Sequence, residues 1–363
     1  MRTPPLGLAE QQHATLALRL LLDRRGDRPA EIAVDWPLLL AIAQQNTVLV
    51  RLVERLPLAG LEPPAFFLAA AERELERTRT VFTLMRRLGE RCEQAGLAYL
   101  FPTAWQHYPD VGGDLDLLLL SRVQDVDRLI LADTPATLRA RDLRDRLAGT
   151  ALYWVPEVAL ALDIHHGRLG LVGEQETYPA ELVLRRRRHM VAGEERFAPA
   201  PEDLLILQGM SRVAGRRSFS IADAAATAGV VRGQQLDWTY LVDMARRIGV
   251  LPGLSCYLCY VDQIYGALYD RHLLPPEARR ILTLDGWGAV AFRGGRYRFA
   301  ALRVRNRLYW RQLATAAVAG QWRVASRLCL APAMAAACSL GLVGREATEA
   351  ANALVTLTLG TIL

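Results

Sequence analysis

The sequence predicts an α+β fold, with a sheet-bearing core between helical regions toward both ends. Three observations carry this reading. Apolar residues recur at helical spacing through the first 90 residues. Between 97 and 166, four short apolar runs of strand length replace that period. From about residue 200 the helical period returns. Four regions follow: an N-terminal helical region 1–90, an α/β core 91–195, a helical subdomain 196–283, and a C-terminal hairpin and helical region 284–363.

Each element has its own signal. LGLAEQQHATLALRLLLDRR forms the first helix, and DWPLLLAIAQQNTVLVRLVERL the next, with Asp35 as N-cap. A third helix spans 65–95, its Glu and Arg residues interleaved at spacings that suit an exposed face, and Gly96 ends it. LAYLF (97–101), DLDLLLL (114–120), TALYWV (150–155) and VALALDIHH (158–166) are strands, the last two joined by a turn at Pro156-Glu157. The segments 121–132 and 137–148 between them read as helices. PEDLLILQGMSRV opens the second helical half on Pro-Glu-Asp, a favoured helix start because Pro presets φ and acids face the positive helix end. The stretch 284–303, with its Gly-Gly pair, is a linker or a small hairpin.

Composition excludes several chemistries. The 363 residues carry 44 basic side chains against 38 acidic ones, net +6, and every basic residue is arginine. A chain without lysine has no Walker-A lysine, no kinase strand lysine and no Schiff-base amine. Phosphate must therefore be met by arginine, backbone N–H groups or metal ions. The Ala-, Arg- and Leu-rich usage is that of a GC-rich coding sequence. Charges inside the first apolar stretch argue against a secretory leader. The uncharged run 328–343 falls short of the ~20 residues of a spanning helix and reads as a buried helical hairpin, so no membrane span is expected. Five scattered cysteines fit a reducing cytoplasm, and Cys256 and Cys259 read as buried helix thiols, because zinc needs two more ligands at usable spacing.

The passage with most chemical content is 108–120, Tyr-Pro-Asp-Val-Gly-Gly-Asp-Leu-Asp followed by four leucines. A strand's period of two puts Asp114 and Asp116 on one face and turns Leu115 into the core. Two carboxylates there repel unless a cation joins them, and an oxygen-seeking divalent metal resolves this. Gly112-Gly113 leaves space for a phosphate to approach. Asp163, on a later apolar strand, supplies a third carboxylate if the two strands are neighbours, the arrangement that metal-assisted phosphoryl or nucleotidyl transfer uses. His165 shares the face of Asp163; it either orients a phosphate or supports a metal ligand, or it is a strand-end histidine bonded to backbone.

Tyr108-Pro109, Gly113-Asp114-Leu115-Asp116-Leu117 and Asp163-Ile164-His165 resemble, in order and spacing, an uncharacterised nucleotidyltransferase family of the DNA-polymerase-β-like superfamily. Looser likeness continues through PEDLLILQGMSR, Asp223 and Leu236-Asp237-Trp238, so the resemblance covers about 90 to 250. It implies a nucleotidyltransferase-type mixed sheet core and an NTP substrate. It also implies Mg²⁺ (or Mn²⁺) held by Asp114, Asp116 and Asp163, with Asp163 helping to deprotonate the acceptor. Thr103, Gly112 and Gly113 then line the phosphates, with His165 beside them. The chain departs from the family pattern in two places. Phe101-Pro102-Thr103 stands where the family has Lys-Gly, and proline has no N–H to offer. Asp110-Val111-Gly112 stands where the family has an arginine. An Arg-Gly turn was open to a lysine-free sequence, so the first exchange reads as a change in the site.

The expected activity is transfer of an NMP group from an NTP to an unknown small-molecule, peptide or protein acceptor. The alternative is a binding or scaffold protein that keeps the fold and has impaired catalysis. Arg185 to Arg188 with His189 form the strongest basic run, read as a solvated loop; Arg216-Arg217 and the arginines of 293–311 read as surface. No aromatic residues interleave with that run, so a nucleic-acid partner is not favoured.

Overall fold

The computed structural model describes residues 6–23, 33–121, 126–139, 141, 143–170, 172–191, 193–215, 218–282, 284 and 287–339. Its first helices are α1 (Leu6–Leu22), α2 (Trp36–Gln45), α3 (Leu49–Arg55) and α4 (Ala65–Gln94). Asp35 caps α2, accepting the Leu38 N–H at 3.0 Å. The helix expected from 35 to 56 is broken in two at Asn46-Thr47. The buried Asn46 amide donates to the carbonyls of Ile42 and Gly295 and accepts from the Ile221 N–H. A side chain that bonds backbone on three segments competes with the helix, and Thr47 turns the chain at φ +57°. Gly96, at φ +65°, ends α4 as expected.

The core sheet follows: β1 (Tyr99–Leu100), β2 (Asp114–Leu119), α5 (Val126–Ile130), β3 (Thr137–Leu138), α6 (Leu143–Ala148), β4 (Thr150–Val155) and β5 (Leu160–His166). Strand order is β1-β2-β5-β4-β3. Only β2 and β5 run parallel, so the sheet is mixed. One expectation is corrected: 137–148 is not a single helix, because Thr137-Leu138 pairs with Trp154 and Tyr153 at the sheet edge.

The pleat sorts the side chains of the central pair. Leu115, Leu117 and Leu119 of β2, with Leu160, Leu162 and Ile164 of β5, pack against Val81, Leu84, Met85 and Leu88 of α4. Asp114, Asp116 and Leu118 face the other way, as do Asp163 and His165. A second apolar cluster joins the N-terminal helices to the helical half of the chain. The α4 side of the sheet is thus sealed by hydrocarbon, and the opposite side is left for a polar site.

The remaining elements are α7 (Tyr178–Leu184), β6 (Arg187–Val191), β7 (Glu194–Ala198), α8 (Pro201–Gly209), a wider π-type turn (Met210–Gly215), β8 (Ser218–Phe219), α9 (Ile221–Gly233), α10 (Trp238–Arg247), α11 (Leu251–Tyr269), α12 (Pro276–Leu282), β9 (Ala291–Arg293), β10 (Arg296–Arg298), α13 (Ala301–Val318) and α14 (Trp322–Ser339). The small hairpin alternative for 284–303 is what forms, as β9 and β10 around Gly294-Gly295, and β8 adds a third strand. The arginine run is not a loop. Arg187 and Arg188 open the β6–β7 hairpin, while Arg185 turns inward to Asp203 (3.0 Å) and Glu202 (3.1 Å) over the Tyr240 ring. Cys256 and Cys259 are buried free thiols on α11. Arg216-Arg217 and residues 340–343 of the apolar run lie outside the described residues. Among the described residues no helix is long and apolar enough to cross a membrane.

Candidate active site

The parallel register sets Asp116 directly beside Asp163. Two strand residues further on, His165 reaches back to both: its Nε2 lies 3.5 Å from Asp116 Oδ1 and 3.8 Å from Asp163 Oδ2. Ligand atoms of Asp116, Asp163 and His165 all lie within 4.8 Å of one another. Asp114 stands earlier on the same face, opposite Ala161, and is more exposed. The structure therefore brings together Asp116, Asp163 and His165, with Asp114 outside that trio but on the wall of the same cavity.

The electrostatics of the trio are uneven. Burial alone would raise the Asp116 carboxyl, yet the His165 contact, the Thr103 hydroxyl and the Arg212 charge together hold it below its ordinary value. Asp163 goes the other way: burial, with the negative charges of Asp116, Asp145 and Asp114, raises it above its ordinary value despite His165. Burial would lower His165, but the Asp116 contact and the charges of Asp163 and Asp116 raise it. The His165 ring thus sits against two adjacent carboxylates, the place a metal cation would take. Asp163 Oδ1 and His165 Nδ1 are buried without hydrogen-bond partners. Orphaned buried donors and acceptors of this kind are costly, and two carboxylates with an imidazole are a usable ligand set for a divalent cation. The residues therefore fit such an ion.

These shifts give a signed prediction. Asp163 is an acid with a raised native pKa, so stability is lost as pH rises from its unfolded-state pKa through the native one. In chelator at neutral pH, Asp163→Asn should stabilise the chain by on the order of 1 kcal/mol, read as a higher Tm. The difference should vanish below about pH 4, where both chains are neutral there. A lower Tm for Asp163→Asn in chelator would contradict the charge assignment.

Thr103 does not stand free: its Oγ1 donates to Asp116 Oδ2 at 2.9 Å and fixes that carboxylate. Gly112 and Gly113 lie away from the larger cavity and line a smaller one of about 100 Å³ with Thr103, Asp114, His107, Arg212 and Arg296. Gly113 has open space where a Cβ would stand, and the Gly112 carbonyl accepts from Arg77 at 2.6 Å. The larger cavity, about 340 Å³, holds Asp114, Asp116, Asp163, His165, Thr103 and Arg212 on its polar side.

Arg212 is the site residue that sequence reasoning missed. It sits in the π-type turn after α8, is 7% exposed, and lines both cavities. Its Nε lies 3.0 Å from Asp223 Oδ1. Asp223 closes the capping box of α9 with Ser220, accepting the Ser220 N–H at 2.8 Å and the Ser220 hydroxyl at 2.7 Å. Burial would raise Asp223, but the Arg212 charge and the His107 contact hold it well below the usual carboxylate range. His107, 3.3 Å away, is itself pushed down by burial. The available signal was the run QGMSR at the end of an apolar helix. It places an arginine near the core, but a π-type turn shifts the register that a 3.6-residue period assumes.

A mixed sheet that presents carboxylates from two adjacent parallel strands to a cavity, with a buried arginine opposite, is compatible with an α+β nucleotidyltransferase fold. The family model described as "uncharacterised nucleotidyltransferase" matches residues 33–266, and the chain belongs to that family. No curated protein and no solved structure shows significant similarity to it. The match begins just before α2 and ends within α11, so α13 and α14 lie beyond it.

Proposed function

We propose that the protein transfers a nucleotidyl group from an NTP to a hydroxyl-bearing acceptor, with a divalent metal, Mg²⁺ or Mn²⁺, held by Asp114, Asp116 and Asp163. Asp116 and Asp163 side by side in register on the parallel pair are the observation that carries this reading. The bound metal supplies charge neutralisation and polarisation of the phosphate oxygens. Everything else falls to the chain's own residues.

In this reading the acceptor oxygen bonds to the α-phosphorus, the bond from that phosphorus to the bridging oxygen breaks, and pyrophosphate leaves. Asp163 Oδ1, buried and without a partner, accepts the acceptor proton; its raised pKa suits that role. Thr103 keeps the Asp116 carboxylate oriented. Arg212 takes the charge of the departing pyrophosphate, aided by Gly112 and Gly113, whose lack of side chains leaves the small cavity open. A lysine-free chain thereby replaces the family's Lys-Gly turn with an arginine from the helical half. His165 holds the two carboxylates together before the cation arrives.

The test is where a radiolabel goes. With Mg²⁺ and a cell extract as acceptor source, label on the α-phosphate of an NTP should appear in a new product, and label on the γ-phosphate should appear only in pyrophosphate. Transfer of the γ-label would make the protein a phosphotransferase instead. No transfer of either label, with no metal-dependent NTP binding, would leave the fold without the reaction.

A further inference from the structure

One face of β4 takes no part in either cavity. Thr150, Leu152 and Trp154 lie on the side of the sheet that holds the carboxylates, because Leu152 pairs with Asp163 and Trp154 with Ala161. On the other flank of β5, the parallel register sets Ala161 beside Asp114 and Asp163 beside Asp116. Asp114, Ala161, Trp154 and Thr137 therefore form one row across four strands. Exposure rises along β4 from buried Thr150 through half-buried Leu152 to Trp154, which is 49% exposed. A single exposed apolar side chain on a protein surface is ordinary. This one is set apart by its place: an open indole on the sheet face of the candidate metal ligands, on the strand next to Asp163.

The smaller cavity takes its walls from β2, the glycines before it, Arg212 and Asp223, and the larger from β2, β5 and the helical half; no β4 residue lines either. In the proposed reaction the pyrophosphate end of the NTP lies at Arg212, in cavities that β4 does not line. In-line displacement sets the attacking oxygen on the side of the α-phosphorus away from the leaving pyrophosphate. Asp163, which receives the proton in that step, stands on the strand that pairs with β4. Diagonal neighbours in an antiparallel pair are about 7–8 Å apart, within reach of an aromatic side chain, so Trp154 and Asp163 can flank one small molecule. The sheet face between them is Leu152 and Ala161, both hydrocarbon. A polar rim follows at the sheet edge: exposed Thr137 opposite Trp154, and Arg139, which bonds through its N–H to the Leu152 carbonyl at 2.9 Å and pairs with Asp145.

We infer that this face of β4 is the acceptor subsite, and that the acceptor is a small aromatic alcohol: its ring stacks on Trp154, and its hydroxyl, a few bonds from the ring, meets Asp163. That oxygen bonds to the α-phosphorus, its proton passes to Asp163, and pyrophosphate leaves. Contact between two aromatic rings adds attraction beyond the area it buries, so an indole favours an aromatic ring over a saturated ring of the same size. A saccharide also offers a flat face to an indole, but its hydroxyls would lose water over Leu152 and Ala161, whose side chains return no hydrogen bond. The inference rests on the proposed transfer in naming the ligand an acceptor; binding at Trp154 requires no NTP.

The experiment follows the full chain, labelled with fluorotryptophan, by fluorine NMR in saturating Mg²⁺; the Trp154 signal is the one that Trp154→Phe lacks. Three alcohols are the probes: 3-phenylpropanol, its saturated counterpart 3-cyclohexylpropanol, and methyl glucoside. Phenylpropanol should move the Trp154 signal saturably and bind at least ~3-fold more tightly than cyclohexylpropanol, and the glucoside should leave the signal in place. Trp154→Ala should bind phenylpropanol at least ~5-fold more weakly and lose the preference for the aromatic ring, while Trp154→Phe should keep it. With phenylpropanol as acceptor of the α-label, Trp154→Ala should raise the KM for that alcohol with little change in kcat. Melting curves report whether each variant is folded; should Trp154→Ala fail to fold, the wild-type series and Trp154→Phe decide alone. A Trp154 signal that phenylpropanol does not move overturns the proposal, as does equal binding of the aromatic and saturated alcohols. A glucoside that moves the signal as phenylpropanol does would make this a saccharide platform and overturn it too. Saturable binding at Trp154 without transfer of the α-label would instead fault the proposed reaction and leave the subsite. Transfer to phenylpropanol with a KM unchanged in Trp154→Ala would fault the subsite and leave the reaction.

Discussion

Asp116→Asn should lower nucleotidyl transfer by at least ~1000-fold, measured as α-label incorporation at saturating Mg²⁺ and NTP. The substitution keeps the shape of the side chain and an oxygen able to accept from Thr103, so the site stays built. What it removes is the negative charge that stands beside Asp163 in the strand register. Its effect on the metal-free fold should be opposite in sign to that of Asp163→Asn. Asp116 is held below its ordinary pKa, so its ionised form stabilises the fold above the unfolded-state pKa, and that contribution disappears as pH falls through the folded-state value. Asp116→Asn should therefore melt slightly lower than wild type in chelator, where Asp163→Asn melts higher. Two neighbouring aspartates that are alike in sequence thus give opposite stability changes and the same loss of activity. Wild-type activity in Asp116→Asn would remove Asp116 from the chemistry.

Arg212→Met should have the largest effect on stability. It leaves the Asp223 carboxylate buried with only Ser220 and His107 beside it. Breaking one half of a buried ion pair costs about 3–5 kcal/mol, chiefly because the remaining charge has no counterion. Denaturant unfolding of Arg212→Met should show a loss of that order. Adding Asp223→Asn to it should restore much of the stability, since the stranded charge is gone. Activity should not return with it: both chains lack the cation that faces the departing pyrophosphate, and transfer should remain ~100-fold or more below wild type. If the double variant regains activity along with stability, Arg212 is a structural residue only.

The contrast between Asp116 and Arg212 also marks what the sequence could and could not convey. The Asp-x-Asp strand and the Asp-x-His strand were legible because a period of two fixes which side chains share a face, and their leucines fix which face is buried. Their adjacency in parallel register was not legible from either strand alone; it follows from β5 inserting between β2 and β4. Helices were read well where the period ran unbroken, as in α4, and poorly where a polar side chain intervened, as at Asn46. Thr103 is expected to line the phosphates; that its hydroxyl bonds to Asp116, 13 positions away, is a contact no local pattern encodes. Arg212 was invisible for a related reason. It sits in a π-type turn and reaches the site only after distant segments pack.

In the proposed reaction, a distant segment takes the part of the missing turn lysine. Phe101 is buried beside the sheet, Pro102 offers no N–H, and Thr103 is committed to Asp116, so the turn itself brings no cation to the phosphates. Arg212 arrives from the opposite wall instead, held by a capping box on α9. The proposed reaction therefore draws the charge lost at the turn from across the cavity.

Manganese binding to the metal-free chain, followed by electron paramagnetic resonance, bears on the metal site before any acceptor is known. The geometry predicts saturable Mn²⁺ binding that NTP tightens, and that weakens at least ~10-fold in both Asp116→Asn and Asp163→Asn. Mn²⁺ binding that is indifferent to both substitutions, or unaffected by NTP, would contradict the assignment of these two strands as the seat of the reaction.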